Sequence, residues 1–425
     1  MKLDVNIDVH PLTRVEGHGN ILVRIKDGRL EEARWDVVET PRFFEVMLKG
    51  KHYTTAGILT ARICGICSIG HCLASVRATE GAFGAQVPPV AAKLRLLAKH
   101  GETLQSHALH LFFLAAPDYL GLPSVLPLLQ LNPAVVDLAR ALKGLGNRLC
   151  DAVAGRTTHP VSIQVGGMAM MPDRQKLAGL AGELRESVAK LAAAVELFKS
   201  FDFPDFARPT EFVSLEGAGS YPWIGGKLMS SDGVRRGEHE YRAMTNEFVD
   251  ANNTSKWCKL SRESFAVGAL ARVNNNFQHL CPEAKAVAGA LGLAPVCHNP
   301  FMNNVAQLVE VVQVVHESLA LLEELSAEKP DVETMAKVTP RAGVGVSAVE
   351  VPRGILYHCY EYGADGRVVR ADCVIPTTQN NLNIHLDLRE LATQYAAKGR
   401  GDRELELLCS MLVRAYDPCV SCSVH

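Results

Sequence analysis

Two cysteine pairs at opposite ends of the chain constrain its fold more than any other feature. Cys64 and Cys67 form one C-x-x-C, and Cys419 and Cys422 form the other. The second pair lies in Asp417-Pro-Cys-Val-Ser-Cys-Ser-Val-His425, a stretch that frays unless something ties it down. In each pair the spacing lets both sulfurs reach one ion, and Gly65 leaves room for a tight turn in the first. A compact zinc ribbon keeps its pairs about 15–20 residues apart. Here most of the chain lies between them, so an ion shared by all four sulfurs closes the whole fold. Thiolates are soft donors that suit nickel, iron, zinc and copper(I). Spacing alone leaves open a redox metal, a fold-closing zinc, or two unrelated buried pairs.

Composition narrows the class. The chain has 425 residues, 48 % hydrophobic and 21 % charged, which suits a globular protein with a large core. A net charge of −2 gives no basic field for nucleic acid. Twelve cysteines are too dilute for a disulfide scaffold, and most of the unpaired ones read as small buried hydrophobes. No charge-free apolar run reaches the roughly 18 residues of a membrane span. The first residues lack the apolar core of a signal peptide. A reducing cytoplasm is the expected compartment.

Pattern places the elements. A strand is expected over residues 3–9, and Asp27-Gly28 between two alternating runs marks a hairpin. Between them Gly17 and Gly19 permit a turn or a close backbone approach. Short helices are expected over 41–50 and 54–63, and a longer one over 70–83. After Pro88-Pro89, apolar residues from Leu94 to Leu114 recur every three or four positions, predicting a long helix that ends near Pro117. Helical patterns recur over 135–153, 174–201, 304–328 and 403–416. Residues 203–278 read as irregular or β. Strands are expected over 346–351, 355–362 and 368–374. With no internal repeat or linker, residues 1–425 form one helix-rich α+β domain.

The motifs together carry a resemblance. Arg62-x-Cys64-Gly-x-Cys67-x-x-x-His71 and Asp417-Pro-Cys419-x-x-Cys422-x-x-His425 resemble the large, catalytic subunit of the nickel–iron hydrogenases. Thr13-Arg-Val-Glu16-Gly-His18, Val351-Pro352-Arg353-Gly354 and Val374-Ile-Pro376-Thr377-Thr match family motifs in the same order. The chain is shorter than the membrane-associated members, and Gln379 stands where those usually carry Trp. Both features are similar to the soluble, cytoplasmic, cofactor-coupled branch. Stopping at His425 resembles the processed form. The quinone-site subunit of respiratory NADH dehydrogenase shares the fold but lacks the four cysteines.

The resemblance implies a long-helix bundle flanked by small sheets and a reversible, heterolytic cleavage of H2. It implies that Cys64 and Cys419 bind nickel terminally while Cys67 and Cys422 bridge to an iron carrying carbon monoxide and cyanide. Two divalent metals, four thiolates and two cyanides leave a charge of about −2, which buried needs a counter-charge. Arg353 is the implied counter-charge, and a surface arginine in a turn is its plain alternative. Cys419 is preferred over Arg353 as proton acceptor, because a guanidinium does not readily deprotonate. Glu16 is expected to receive the proton, its plain alternative being a surface pair with Arg14. Asp118 is expected to pair with the active-site arginine. Thr377 is implied as a partner of a cyanide, Pro352 and His71 as flanking the cofactor, and Ile66 as lining the gas path. Glu45, His425 and the Cys373 carbonyl resemble the family's magnesium site. The chain carries no further cysteine cluster and no G-x-G-x-x-G, so no iron–sulfur cluster or flavin is expected in it. The implied partners are an iron–sulfur small subunit and flavin-containing diaphorase-type subunits serving NAD(P), ferredoxin or a deazaflavin. A hydrogen sensor with the same site, and a zinc protein without turnover, are the competing readings.

Overall fold

The computed structural model describes residues 4–329, 331–396 and 402–425. Four long helices form a ring in which each packs on the next: Pro89–Leu109, Pro133–Ala154, Arg174–Lys199 and Asn303–Ala327. The first begins on a proline, whose missing N–H has no partner to lose in a first turn. Its apolar residues Leu94, Leu97, Ala98, Leu104 and Ala108 are buried as their spacing predicts. Pro300–Ala327 is long and apolar enough to cross a membrane, but 72 % of that window is buried inside the chain, as in a core helix.

Two three-stranded antiparallel meanders flank the ring. The first joins Val5–Val9, Gly19–Lys26 and Arg29–Val37. Lys26 pairs with Arg29, so Asp27-Gly28 is a two-residue hairpin loop with both residues at positive φ, as an Asp-Gly turn requires. The second joins Gly343–Val351, Gly354–Tyr362 and Val368–Val374. Val351 pairs with Gly354, which leaves Pro352 and Arg353 alone at the hairpin tip. The Ser68–Phe83 helix packs across this sheet and so brings Cys67 toward that tip.

Three differences from the sequence reading have physical causes. The long helix ends near Pro117 as expected, at Tyr119, but it is not α-helical throughout. A π-turn over His110–Ala115 widens it, and it continues as Ala116–Tyr119. The widening accommodates a proline that has no N–H and whose ring crowds the preceding turn. Residues 203–278 hold short strands such as Glu211–Leu215, as expected, but also the helix Ala269–Asn276. The helix Pro376–Ala396 carried no apolar period, because polar residues are interleaved with the aliphatics on its buried face: Gln379, Asn380, Asn381, Asn383 and Asp387 all lie inside. Their partners are backbone and side chains, such as the Val267 N–H to Asn380 Oδ1 at 2.8 Å and the Asn383 amide to the Tyr416 hydroxyl at 2.6 Å.

A buried ion network sets the Arg353 hairpin. Arg272 is fully buried and binds Glu310 through two nitrogens, at 2.6 and 2.7 Å, and Glu350 through one, at 3.0 Å. It also donates to the Val351 and Pro352 carbonyls, at 2.9 and 3.1 Å, at the start of the hairpin turn. Burial would raise the Glu310 carboxyl, but the charge and hydrogen bonds of Arg272 outweigh it and hold the group at about 2. Glu350 shares only one nitrogen, and burial pushes it up. The Glu310 contribution to stability is therefore full above its ordinary value of 4.5 and is lost as pH falls toward about 2. Arg272→Met leaves the Glu310 and Glu350 carboxylates buried without the cation they share. It is expected to cost about 3–5 kcal/mol, read as a lowered urea midpoint at neutral pH.

Candidate metal centre

The four cysteines meet. Cys64 follows a tight turn over Ala61–Ile63, and Cys67 caps the Ser68–Phe83 helix. Cys419 precedes a short helix, Val420–Ser423, that contains Cys422. All four sulfurs are buried and lie within 4.8 Å of one another. Cys64 Sγ is 3.7 Å from Cys419 Sγ and accepts from the Cys67 N–H at 3.1 Å. No carboxylate is part of this cluster, so the donor set is purely soft, and a single thiophilic ion or a pair of them fits it.

Several contacts tie the tail down. Arg42 Nη2 donates to the Ile63 carbonyl at 2.7 Å and to the Ser421 carbonyl at 2.6 Å, stapling one cysteine loop to the other. The Glu16 carbonyl accepts from Val420 N–H at 2.9 Å, and the Glu16 carboxylate takes the Ser421 N–H at 3.1 Å and the Ser421 hydroxyl. Gly17 is what permits this approach. At φ +84°, a Cβ there would lie 2.7 Å from Ser421 N and 2.8 Å from Val420 Cβ. Thr377 Oγ1 accepts from the Cys419 N–H at 2.9 Å, which leaves the hydroxyl proton free to donate. At the far end His425 Nε2 donates to the Cys373 carbonyl at 2.6 Å and stands 3.7 Å from Glu45 Oε1. Glu45 in turn accepts from the Cys373 N–H at 2.8 Å. The three expected magnesium donors are thus together.

Arg353 is buried, not a surface residue. Its Nη2 binds Asp417 Oδ1 at 2.8 Å and its Nε binds the Asp417 carbonyl at 2.7 Å. Burial alone would lower its pKa, but Asp417 and the thiolates of Cys419, Cys67 and Cys64 outweigh it and keep it charged. Pro352 is buried beside it, and Ile66 is partly buried against the core.

One expectation is corrected here, and one plain alternative falls. Asp118 does not pair with Arg353. It binds Arg414 at 2.7 and 2.9 Å and also Arg14, so its charge is committed to the base of the tail. The partner that the long helix does offer Arg353 is the Ser106 hydroxyl, at 3.3 Å. A surface pair of Glu16 with Arg14 is likewise excluded, since Arg14 goes to Asp118 and the Leu114 carbonyl.

Charge within the cluster is unequal. Sulfur hydrogen bonds from Cys419, Cys422 and Cys67 push the Cys64 thiol well down. Cys419 is pushed well up because it gives hydrogen bonds to Cys422 and Cys64. A metal takes its cysteine ligands as thiolates, so binding here releases whatever protons the four sulfurs carry. His71 is buried and pushed down to about 4 by desolvation, so it stays neutral, 3.3 Å from His358 Nε2.

Comparison with known proteins decides the family. Residues 42–137 and 224–425 match the model of the nickel-dependent hydrogenases, and residues 6–40 match a HoxL-like model. The chain belongs to the nickel-dependent hydrogenase family. It is similar to sulfhydrogenase 1 subunit alpha of Pyrococcus furiosus, 33 % identical over 421 residues that cover 99 % of this chain and 97 % of the relative. It is also similar to the NAD-reducing hydrogenase HoxS subunit beta of Cupriavidus necator, 28 % identical over 460 residues, covering 98 % and 94 %. A crystal structure of an NAD+-reducing [NiFe]-hydrogenase superposes with a TM-score of 0.88 at 28 % identity, covering 99 % of both chains.

This hydrogenase is accordingly a large subunit with the expected helix-rich fold, and it activates H2 at a nickel–iron centre. Sequence reasoning missed Arg42, Ser106 and Ser421, which no motif spacing marks. Gly17→Ala is expected to push the Glu16 loop off the tail and cut H2-uptake activity at least tenfold, with nickel content measured alongside.

Proposed function

We propose that Cys64, Cys67, Cys419 and Cys422 would hold the nickel of this centre, and that Cys67 and Cys422 would also serve the iron. The observation that carries the reading is the convergence of four buried sulfurs from both chain ends within 4.8 Å. The bound metals, with iron carrying carbon monoxide and cyanide, supply the Lewis acidity that polarises H2. The residues around them do the rest. Arg353 stays protonated and offsets the buried negative charge. Thr377 has one hydroxyl proton to offer a cyanide. Pro352 and His71 wall the site, and Ile66 flanks the approach of the gas.

Cys419 Sγ is the proton acceptor, on the residue whose backbone pairs with that of Glu16. Glu16 receives the proton and passes it outward. It is partly exposed, and the His18–Glu39 pair, 2.8 Å apart, lies at the surface just beyond it. Asp118 acts at a distance, by fixing Arg414 and Arg14 around the base of the tail. Glu45, His425 and the Cys373 carbonyl would hold a magnesium ion that locks the last residue; one imidazole among oxygen donors is acceptable for it.

Electrons need a separate exit. Among the described residues no second cysteine cluster exists that could hold an iron–sulfur centre. An iron–sulfur small subunit is therefore the partner, with diaphorase-type subunits delivering electrons to a soluble carrier such as NAD(P), ferredoxin or a deazaflavin. A soluble carrier is favoured by the relative named as an NAD-reducing hydrogenase, and it goes with the cytoplasmic location expected from the sequence.

Glu16→Gln tests the relay. It is expected to keep nickel, iron and the infrared bands of the iron-bound diatomics while suppressing H2/D2O exchange at least a hundredfold, since general acid–base groups contribute about 10²–10⁴. Unchanged exchange would remove Glu16 from the path. Absence of those bands from active wild-type enzyme would refute the bimetallic assignment itself.

A further inference from the structure

One buried face of the Pro89–Leu109 helix has no part in the reaction above. Glu102 Oε1 accepts from the Gly70 N–H at 3.0 Å. Gly70 lies in the first turn of the helix that Cys67 caps, where an N–H has no intrahelical carbonyl to reach. On the same helix face, Gln105 Nε2 donates to the Ile66 carbonyl at 2.9 Å. The two contacts grip the first cysteine loop on either side of Cys67. Gly70 admits no side chain, because a Cβ would meet Val351 Cγ1 at 2.2 Å, so the approach is carboxylate to backbone.

Glu102 is not alone. Its Oε2 faces Lys99 Nζ at 3.2 Å, and both side chains are fully buried. Lys99 is itself held by the Thr103 hydroxyl at 2.9 Å and lies over the Trp223 ring at 5.8 Å. A buried ion pair is a costly way to fill space, since apolar side chains of similar volume pack as well or better. What an apolar pair could not do is accept from Gly70.

We propose that Glu102, charge-balanced by Lys99, and Gln105 are positioning residues for Cys67: they fix the helix start and the loop carbonyl that aim its sulfur. The inference rests on the assignment of Cys67 to the metal centre. Groups that orient a ligand without touching the metal control affinity and activity in the same way as those that orient metal-bound histidines.

The test uses the assembled, metal-loaded enzyme and two double variants. Lys99→Met with Glu102→Gln removes both charges and keeps a side-chain oxygen for Gly70. Lys99→Met with Glu102→Met removes that oxygen at similar volume. The infrared bands of the iron-bound diatomics report the centre independently of turnover. The glutamine form is expected to keep the wild-type band positions. The methionine form is expected to shift them and to lower kcat about tenfold or more with KM for H2 unchanged. Identical bands and kcat in the two forms overturn the inference. Where the methionine form does not fold, Gln105→Met decides: shifted bands at full nickel content support the positioning role, and wild-type bands overturn it. Wild-type enzyme without such bands would sink the assignment of the centre instead, so the two failures are distinguishable.

Discussion

The ion pair between Arg353 and Asp417 is the contact on which the site depends. One residue sits at a hairpin tip, the other at the start of the tail. The guanidinium holds the Asp417 carboxylate and carbonyl together, so it fixes the direction in which the chain leaves for Cys419. Breaking such a pair leaves a buried charge uncompensated, which is far costlier than never having made it. The tail is thereby held against the core rather than free to fray.

Around that pair the protein has built its interior from polar groups. Arg272 anchors the backbone behind Arg353, and Gln307 reaches the second Asp417 oxygen at 3.2 Å. His110 bridges Gln307 to the Arg414 carbonyl at 2.6 and 2.8 Å, so the long helix, the Asn303–Ala327 helix and the tail share one network. Each buried donor or acceptor needs its partner in place, which makes the arrangement rigid. A rigid frame is what a centre needs if its ligands come from chain segments hundreds of residues apart.

Much of this was legible beforehand, and the limits have plain causes. The Asp-Gly hairpin and the long helices could be read because turn chemistry and apolar period are local signals. The cysteine pairs and the motifs around Glu16, Arg353 and Thr377 pointed to one site because they occur together in order. The Pro376–Ala396 helix was hidden because amides are interleaved with the aliphatics on its buried face and break the apolar period. The partner of Asp118 was misassigned because pairing between charges far apart in the chain leaves no trace in spacing. Its helical position points it at Arg414, while Ser106, three turns earlier, faces Arg353. Arg42 stood unmarked beside Pro41, although it bonds to both cysteine loops.

The central claim is that one nickel ion draws its ligands from both ends of the polypeptide. Nickel K-edge X-ray absorption on the assembled enzyme tests it most directly. The account predicts a first shell of four sulfur donors with iron as a nearby heavier scatterer. A shell dominated by nitrogen and oxygen, or zinc at the cysteines with nickel elsewhere, would contradict it.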